Sequence, residues 1–314
     1  MTPAIPGREV LARLDRRAFG SGEAPEGAAA DDRSGRFWLV TSDLIRMAVK
    51  VALVTGRPLL LEGPSGSGKS SLARAVANTL GWTYYETVIT SQTRLDELTG
   101  FVDVVDRLHR AELSSRRDDV TFPPGLEAFV RPGRLWWAFD PTSAAATSPE
   151  PDPGIPAAEP APDASAVVLV DEIDKAEPDL PNNLLVPLGS LVLHVEGRKS
   201  PVHVTRPCPP LVVITSNRER DLPPAFVRRC VTAELGSPTP DQLLEIARTH
   251  VPGAGEALAK RVLALFGPGP SGAPTPAEVV DGVRAAHALG LAADGDDERW
   301  AQVVSVLRHR DPRD

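Results

Sequence analysis

The stretch PLLLEGPSGSGKSSLARAVANTL, residues 58–80, decides the fold. Its first five residues are an apolar run typical of a buried strand, and its last eleven, with Leu72 and Val76 on one face, have helical spacing. Between the two, GPSGSGKS at 63–70 fits the spacing G-x-x-x-x-G-K-[ST]. A glycine-rich loop between a strand and a helix is typical of phosphate binding, because backbone N–H groups and the helix N-terminus face the anion.

The loop residues therefore form the first candidate site. We expect Lys69 to neutralise the β- and γ-phosphates of a nucleotide and Ser70 to bind Mg²⁺. A glycine-rich turn without a ligand is the alternative, and the strand before it and the helix after it argue against that interpretation. The expected nucleotide-binding residues are Gly63, Pro64, Ser65, Gly66, Ser67, Gly68, Lys69, Ser70 and Ser71.

A second motif, VVLVDEID at 167–174, places Asp171 and Glu172 directly after four apolar residues. In an open parallel sheet the carboxyl ends of the strands form the ligand-binding edge. We expect Asp171 to hold the metal, directly or through water, and Glu172 to position and deprotonate an attacking water. Adjacent carboxylates repel each other unless a cation or water compensates, which favours a place beside a magnesium nucleotide. Capping of the following helix is the alternative.

A third apolar run, LVVIT at 211–215, leads to Asn217, and the pair Arg228 and Arg229 follows. We expect the Asn217 amide to lie at the same sheet edge and to hold the lytic water near Glu172. For the arginines, a solvated surface pair is the alternative. The other interpretation is a cation supplied in trans by a neighbouring subunit, which neutralises charge in the transition state.

Short apolar runs alternate with helical patterns up to residue 235, which predicts a parallel α/β sheet covered on both sides. From residue 239 onward the pattern is helical only, with further helices at 254–266, 276–289 and 297–309. We expect a flexible N-terminal segment at 1–36, an α/β core at 37–236 and a small all-α domain at 237–314. The five predicted strands are 58–62, 83–90, 166–170, 211–215 and 230–235.

Two stretches are expected to be disordered or mobile. The segment 140–166 is rich in proline and has almost no large apolar side chains, so residues 141–165 are predicted to be a disordered insertion. Residues 20–35 are similar in composition. Between 36 and 58, Ser42 is a predicted helix cap, and Leu44, Met47, Ala48 and Val51 repeat at helical spacing.

Composition excludes several classes of protein. The 314 residues carry a net charge of −8, which argues against a protein that mainly wraps nucleic acid. No apolar run reaches the length of a membrane span, and the N-terminus lacks the apolar segment of a signal peptide, so we expect no membrane insertion and a cytoplasmic protein. Cys208 and Cys230 lack metal-like spacing, and the six histidines are scattered.

Taken together, the motifs resemble those of the AAA+ ATPases, and within them the MoxR-like branch, over about residues 40 to 290. GPSGSGKS is similar to the Walker A motif, VVLVDEIDKAEP to Walker B, and VITSNRERDLPPAFVRRC to the sensor 1 strand followed by the arginine-finger helix. FVRPGRLWWAFDP, at 129–141, resembles the Pro-Gly segment that precedes Walker B in this branch. By this resemblance Asn217 is sensor 1, Arg229 is the first candidate for the finger, and Arg228 is the second.

The resemblance implies a P-loop NTPase core with strand order 5-1-4-3-2, a helical lid domain, and hydrolysis of ATP with Mg²⁺ between subunits of a homo-oligomeric ring, a hexamer. It further implies remodelling or assembly of a protein client, including a von Willebrand factor A type partner. In such rings the insertion at 98–130 and the hairpin at 191–204 line the pore. Trp136 and Trp137 are expected to pack in the core or an interface. A basic run is expected to be a solvated face or, alternatively, to bind an acidic partner: Arg107, His109, Arg110, Arg116 and Arg117.

The sequence departs from the family pattern at the lid. The segment GAPTPAEVV, 272–280, contains no sensor 2 arginine, and Arg284 lies one turn further on. Three other functions stay open at this point: a P-loop kinase for a small molecule, a nucleotide-dependent switch or scaffold with little turnover, and a nucleic-acid loader. The kinase gives Asn217 and the arginine pair no joint role, and an intact Glu172 argues against the switch.

Overall fold

The computed structural model describes residues 6–16, 18–19, 38–39, 42–115, 125–157, 161, 163–267, 273–295 and 297–307. Its centre is a five-stranded sheet in which every neighbouring pair is parallel. The strand order is β5-β1-β4-β3-β2, which confirms the expected 5-1-4-3-2. The strands are β1 (Leu59–Glu62), β2 (Thr83–Val88), β3 (Ala166–Asp171), β4 (Leu211–Ser216) and β5 (Val231–Glu234).

Helices lie on both faces of the sheet, and a separate helical group follows it. In chain order they are α1 (Arg8–Ala12), α2 (Asp43–Thr55), α3 (Lys69–Leu80), α4 (Leu95–Thr99), α5 (Val104–Ser115), α6 (Arg134–Phe139), α7 (Pro141–Thr147), α8 (Asp179–Ser190), α9 (Pro224–Val227), α10 (Pro240–His250), α11 (Glu256–Phe266), α12 (Pro276–Ala288) and α13 (Asp297–Leu307). None of the helices in the described ranges combines the length and apolar character needed to cross a bilayer.

The sheet separates two apolar cores, because alternate side chains of a strand point to opposite faces. Leu59 and Leu61 of β1 pack with α2 and α3 on one face. Leu60 packs on the other face with α6 and α8. The middle strands β3 and β4 are buried on both faces, which explains why their sequences are continuous apolar runs.

Strand order brings the ends of three strands together. β4 lies between β1 and β3, with Ser216 opposite Glu62 and Ile214 opposite Val170. Since all three strands run in the same direction, the residues that follow them meet at one edge of the sheet. The phosphate-loop motif follows β1, the acidic pair lies at the end of β3, and Asn217 follows β4.

Residues 6–16 and 18–19, part of the segment expected to be flexible over residues 1–36, form a short helix and a short strand. Helix α1 buries Val10, and Leu14 is also buried in the core. Strand Ala18–Phe19 pairs with Trp38–Leu39 in antiparallel fashion. The few apolar side chains of the opening residues are therefore sufficient to anchor them against α3. Residues 1–5, 17 and 20–37 lie outside the described residues, and these include the whole of the low-complexity stretch 20–35.

The proline-rich segment 141–165 is also more ordered than expected. Its first residues form α7, whose N-terminus is capped by the Asp140 side chain. Further on, Ile155 and Tyr84 exchange two backbone hydrogen bonds of 2.8 Å, so the segment covers the outer edge of β2. An uncovered edge strand has unpaired N–H and C=O groups, which supplies the physical reason for this order. Residues 158–160 and 162 lie outside the description.

Helix α2 has the predicted cap, because the Ser42 hydroxyl accepts a hydrogen bond from the Leu44 N–H. The residues that the helix buries differ from most of the apolar repeat predicted from the sequence. Of the predicted repeat, only Ala48 is buried, whereas Leu44, Met47 and Val51 are exposed. The other buried residues of the helix are Ile45, Val49, Ala52 and Leu53. The helix is apolar on two adjacent faces, so periodicity alone did not determine which face would pack against β5.

Two predicted insertions form small antiparallel pairs. Gly100–Val102 pairs with Val130–Pro132 around α5, and Val192–Leu193 pairs with Val202–His203, which confirms the hairpin predicted within 191–204. On α5, Arg107, His109 and Arg110 are exposed, whereas Arg116 and Arg117 lie outside the described residues. Trp136 and Trp137 are buried in the core, as expected.

Helices α10–α13 form the predicted C-terminal helical region around a third apolar core. Leu243, Leu258, Phe266 and Trp300 contribute its largest buried side chains. Residues 308 and 309 of the predicted last helix lie outside the described residues.

Candidate functional site

A cavity of about 460 Å³ lies between the carboxyl edge of the sheet and the helical region. One part of its wall is polar and comes from three strand ends. The residues of this polar wall are Ser65, Gly66, Ser67, Gly68, Lys69, Ser70, Ser71, Asp171, Glu172 and Asn217. Gly63 and Pro64 do not line the cavity, but their carbonyls belong to the same loop and accept hydrogen bonds from Lys69.

The loop before α3 needs glycine at two close approaches. Gly63 has φ 152°, and a Cβ there would lie 2.2 Å from the Leu235 carbonyl oxygen. Gly68 has φ 89° and lies under the Trp38 indole, which would be 3.0 Å from an added Cβ. The loop therefore fits between β5 and the N-terminal strand only without side chains at these positions.

Lys69 is 6% exposed, and its ammonium group donates to the carbonyls of Gly63 and Pro64, each at 2.7 Å. Burial lowers the pKa of Lys69 below its ordinary value of 10.5, while the charges of Asp171, Asp174 and Glu172 oppose this shift. A buried cation at the start of a helix makes this end of the cavity suited to an anion.

Ser70 and Asp171 join the loop to β3. The Ser70 hydroxyl lies 2.9 Å from each carboxylate oxygen of Asp171. The Thr215 hydroxyl donates to the same carboxylate. Hydroxyl and carboxylate oxygens are ligands that Mg²⁺ prefers, so the pair fits the metal of a magnesium nucleotide. In the described part of the chain no group of three or more His, Cys, Asp or Glu could hold a metal.

Glu172 has a left-handed backbone with φ 60°, and its N–H donates to the Thr215 hydroxyl at 2.9 Å. One carboxylate oxygen, Oε1, lies 3.5 Å from the Asn217 side-chain nitrogen. The other, Oε2, lies 2.7 Å from the ammonium of Lys175. A non-glycine residue in this conformation is uncommon and is held by its surroundings, here by Thr215.

Asp174 fixes the turn that follows β4. Its Oδ2 accepts from the N–H groups of Asn217, at 3.1 Å, and Glu219, at 3.0 Å. Asp174 is buried, and its other oxygen, Oδ1, has no hydrogen-bond partner among the described residues. The buried Asp174 carboxylate therefore fixes the backbone position from which the Asn217 side chain extends.

The other wall of the cavity is mainly apolar. Trp38 donates its indole N–H to the Gly68 carbonyl at 3.1 Å and stacks on Phe19 with ring centroids 6.1 Å apart. Ile45 and the helical region complete this wall, with Ile246, His250, Pro276, Ala277 and Val280. A flat aromatic surface and aliphatic side chains next to an anion-binding loop suit a planar base attached to phosphates.

Arg228 and Arg229 do not belong to this cavity. They are exposed at the opposite edge of the sheet, where their carbonyls, with that of Cys230, accept from the Arg57 guanidinium. Pro58 and Gly63 flank β1 and lie about 16 Å apart, at about 3.3 Å per residue. The edge that carries the two arginines is therefore about this far from the phosphate loop. The two arginines therefore cannot act on the cavity of their own chain.

Arg284 lies on α12, one turn beyond the cavity residue Val280. Its guanidinium is 3.6 Å from Asp281, and it does not line the cavity. The structure thus gives no direct contact between this arginine and the polar wall.

Sequence reasoning missed four residues that shape the site: Trp38, Thr215, Asp174 and Lys175. Asp174 and Lys175 directly follow the acidic pair, and Thr215 lies two residues before Asn217, so nearness to the motifs is a signal that could have identified these three. Trp38 is 30 residues from the loop it contacts, and no local pattern marks it.

Likenesses to individual known proteins are weak. No curated protein matches the chain in sequence. Among solved structures, a mutant of RuvB from Thermotoga maritima is 15% identical, with a TM-score of 0.44 over 90% of this chain and 73% of that one. The AAA domain of FIGL-1 in complex with ADP is 14% identical, with a TM-score of 0.44 over 99% of this chain and 95% of that one. At these values neither likeness supports an inference about function.

The family comparison is more informative. The family model described as the AAA domain, dynein-related subfamily, matches residues 58–230, which is more than half of the 314 residues. The matched range runs from the residue before β1 to the residue before β5, and so includes all three strand ends of the polar wall. The chain therefore belongs to the AAA domain family, in its dynein-related subfamily.

Proposed function

We propose that the chain is an ATP hydrolase of the AAA+ type, and that Glu172 is its general base. The observation that carries the proposal is the meeting of Lys69, Ser70, Asp171, Glu172 and Asn217 on one wall of a single cavity. A cation, an acidic pair and an amide at the carboxyl edge of a parallel sheet are the groups that phosphoryl transfer to water requires.

Each residue has a distinct role in this proposal. Lys69 and the loop N–H groups hold the β- and γ-phosphates, and the wall containing Trp38 holds the base. Asn217 and Glu172 hold the attacking water between them. The water oxygen bonds to the γ-phosphorus as the bond to the β,γ-bridging oxygen breaks, ADP leaves with that electron pair, and Glu172 accepts the proton. Mg²⁺, held by Ser70 and Asp171, supplies charge neutralisation on the phosphates.

The arginine pair leads to the second part of the proposal. Arg228 and Arg229 are exposed at the edge of the sheet opposite their own phosphate loop, so they can assist only the site of another copy. We propose that Arg229, with Arg228 as second candidate, completes the site of a neighbouring chain in a homo-oligomeric ring, a hexamer. An arginine supplied in this way is worth about 10³ to 10⁵ in rate.

The biological task is proposed from the motif resemblance. The Pro-Gly segment at 132–133, the insertion between Gly100 and Pro132 and the hairpin within 191–204 favour the MoxR-like branch. In that role the chain couples ATP hydrolysis to the remodelling or assembly of a protein client, including a von Willebrand factor A type partner.

The test is phosphate release by the purified chain and by Glu172→Gln, combined with nucleotide binding by calorimetry. Loss of a general base costs about 10² to 10⁴ in rate. We expect Glu172→Gln to bind ATP with nearly unchanged affinity and to lose turnover by at least about a hundredfold. Unchanged turnover in this variant would contradict the assignment, and a stoichiometric phosphorylated product in place of free phosphate would favour a kinase.

A further inference from the structure

Glu172 lies on the wall between two cavities. Its side chain lines the nucleotide cavity together with Lys69 and Asn217. It also lines an outer cavity of about 410 Å³, which opens between the end of β2 and the turn after β4 and is bordered by Val88, Lys175 and Arg220. Lys175 lines only the outer cavity. The Glu172 carboxylate can therefore interact with groups of either cavity.

On the outer side the Lys175 ammonium donates to Glu172 Oε2 at 2.7 Å. The two residues are three apart: Glu172 directly precedes the short 3₁₀ turn Ile173–Lys175, and Lys175 ends it. The Lys175 side chain is 42% exposed and the Glu172 side chain is 29% exposed, so both are partly accessible to solvent. The hydrogen bond to Glu172, together with the charges of Glu219 and Asp174, raises the pKa of Lys175, while burial opposes this. The contact with Glu172 therefore favours the charged form of Lys175.

This contact opposes the chemistry assigned to Glu172. The ammonium occupies one carboxylate oxygen from the outer side, and the Asn217 amide, 3.5 Å away, faces the other. Proton transfer from water to this carboxylate would leave the Lys175 ammonium without its counterion. Hydrolysis is thus easier after the ion pair has separated than while it is intact.

We propose that Lys175 is a positioning residue that restrains Glu172 on the outer side and lowers the basal rate of ATP hydrolysis. The inference rests on the proposed function, because it assumes that Glu172 is the base. Breaking a partly exposed ion pair is worth up to about 1 kcal/mol, which is about fivefold in rate. The restraint is therefore small enough for a conformational change of the ring to overcome.

The test compares Lys175→Met with Lys175→Arg in the full chain with ATP. Methionine keeps the unbranched side chain, one atom shorter, and removes the charge, so we expect kcat to rise about two- to fivefold with KM for ATP unchanged. Arginine restores the cation, so its kcat should stay near that of the unchanged protein. A purely structural role of Lys175 would not raise kcat without a change in KM.

Two further variants serve as controls. Lys260→Met removes a lysine that pairs with Glu256 on the surface of the helical region, and its kcat should not change. Combining Lys175→Met with Glu172→Gln should abolish the gain, because the gain requires the carboxylate. Calorimetric ATP affinity equal to that of the unchanged chain verifies that each variant is folded.

A kcat that is equal or lower in Lys175→Met, while Glu172→Gln still abolishes turnover, would overturn the restraint and leave the proposed function intact. Equal turnover in Glu172→Gln and the unchanged chain would instead overturn the proposed function, and the inference would fall with it.

Discussion

The Ser70 hydroxyl lies 2.9 Å from both carboxylate oxygens of Asp171, although 101 residues separate them in the sequence. This contact joins the phosphate loop after β1 to the end of β3, across the intervening strand β4. It brings together the two oxygen ligands that we assign to Mg²⁺.

Asp171→Asn tests that assignment. The amide keeps the size of the side chain and removes its charge, so we expect ATP to bind in the absence of Mg²⁺ as before, while the Mg²⁺ concentration needed for half-maximal turnover rises at least about tenfold. Titration of phosphate release with Mg²⁺ measures this. Asp163→Asn is a matched control, since Asp163 pairs with Arg13 away from the cavity. An unchanged Mg²⁺ requirement in Asp171→Asn would refute the role in metal binding.

The lowered pKa of Lys69 gives a pH dependence of nucleotide affinity. Phosphates stabilise the ammonium form, so the pKa of Lys69 is higher with nucleotide bound than without it. Below the pKa of Lys69 in the free protein, this residue does not make nucleotide affinity depend on pH. Above that pKa, the affinity falls about tenfold per pH unit until the pH reaches the pKa of Lys69 in the complex. Because that first pKa is below 10.5, the decline should begin at a lower pH than it would for a lysine with an ordinary pKa.

Calorimetric titrations at increasing pH check this decline. In Lys69→Arg the guanidinium stays charged at alkaline pH. The nucleotide affinity of this variant should therefore not decline with rising pH, even if its absolute affinity differs from that of the unchanged chain. The same decline in both proteins would show that another group is responsible.

Trp38 should report nucleotide binding. Of the five tryptophans, which all lie within the described residues, only Trp38 lines the cavity. Addition of a non-hydrolysable ATP analogue should change the tryptophan emission of the unchanged chain, and Trp38→Phe should lose most of that change. Trp82→Phe removes a buried tryptophan that does not line the cavity and should keep the signal. The reverse pattern would place the base elsewhere.

Gly133 should tolerate no side chain. A Cβ there would lie 2.3 Å from the Leu98 carbonyl oxygen and 2.6 Å from that of Glu97, so α4 and α6 would have to separate. We expect Gly133→Ala to lower the free energy of unfolding by about 1–3 kcal/mol in urea denaturation. Gly125→Ala is the matched control, because no atom of the described residues lies within 4 Å of its added Cβ. Equal stability of the two variants would be inconsistent with the packing of α4 on α6.

The sequence allowed much of the fold to be predicted. Buried strands such as β3 and β4 are continuous apolar runs, and the loop at 63–70 identifies which strand precedes the phosphate-binding helix. The strand order came from the family resemblance. The meeting of Asp171 and Asn217 at one edge was expected from the residues, because both follow buried strands of a parallel sheet.

The remaining features depend on contacts between distant residues. Composition suggested that residues 141–165 would not be ordered, yet Ile155 pairs with Tyr84 because β2 has a free edge. Periodicity found helix α2 but not its buried side, since Ile45 and Leu44 lie on adjacent apolar faces and only the position of β5 decides between them. The Trp38 contact with Gly68 depends in the same way on how the N-terminal strand packs.

Mixing Lys69→Ala chains with Arg229→Ala chains tests shared sites most directly. Each variant alone should have less than about 1% of normal turnover, the first because it cannot hold the phosphates and the second because it lacks the transferred cation. In a mixture, an intact loop from an Arg229→Ala chain can meet Arg229 of a Lys69→Ala chain, so we predict that phosphate release recovers to a measurable fraction of normal. No recovery at any ratio, or full turnover by Arg229→Ala as a monomer, would contradict a site built between neighbouring copies.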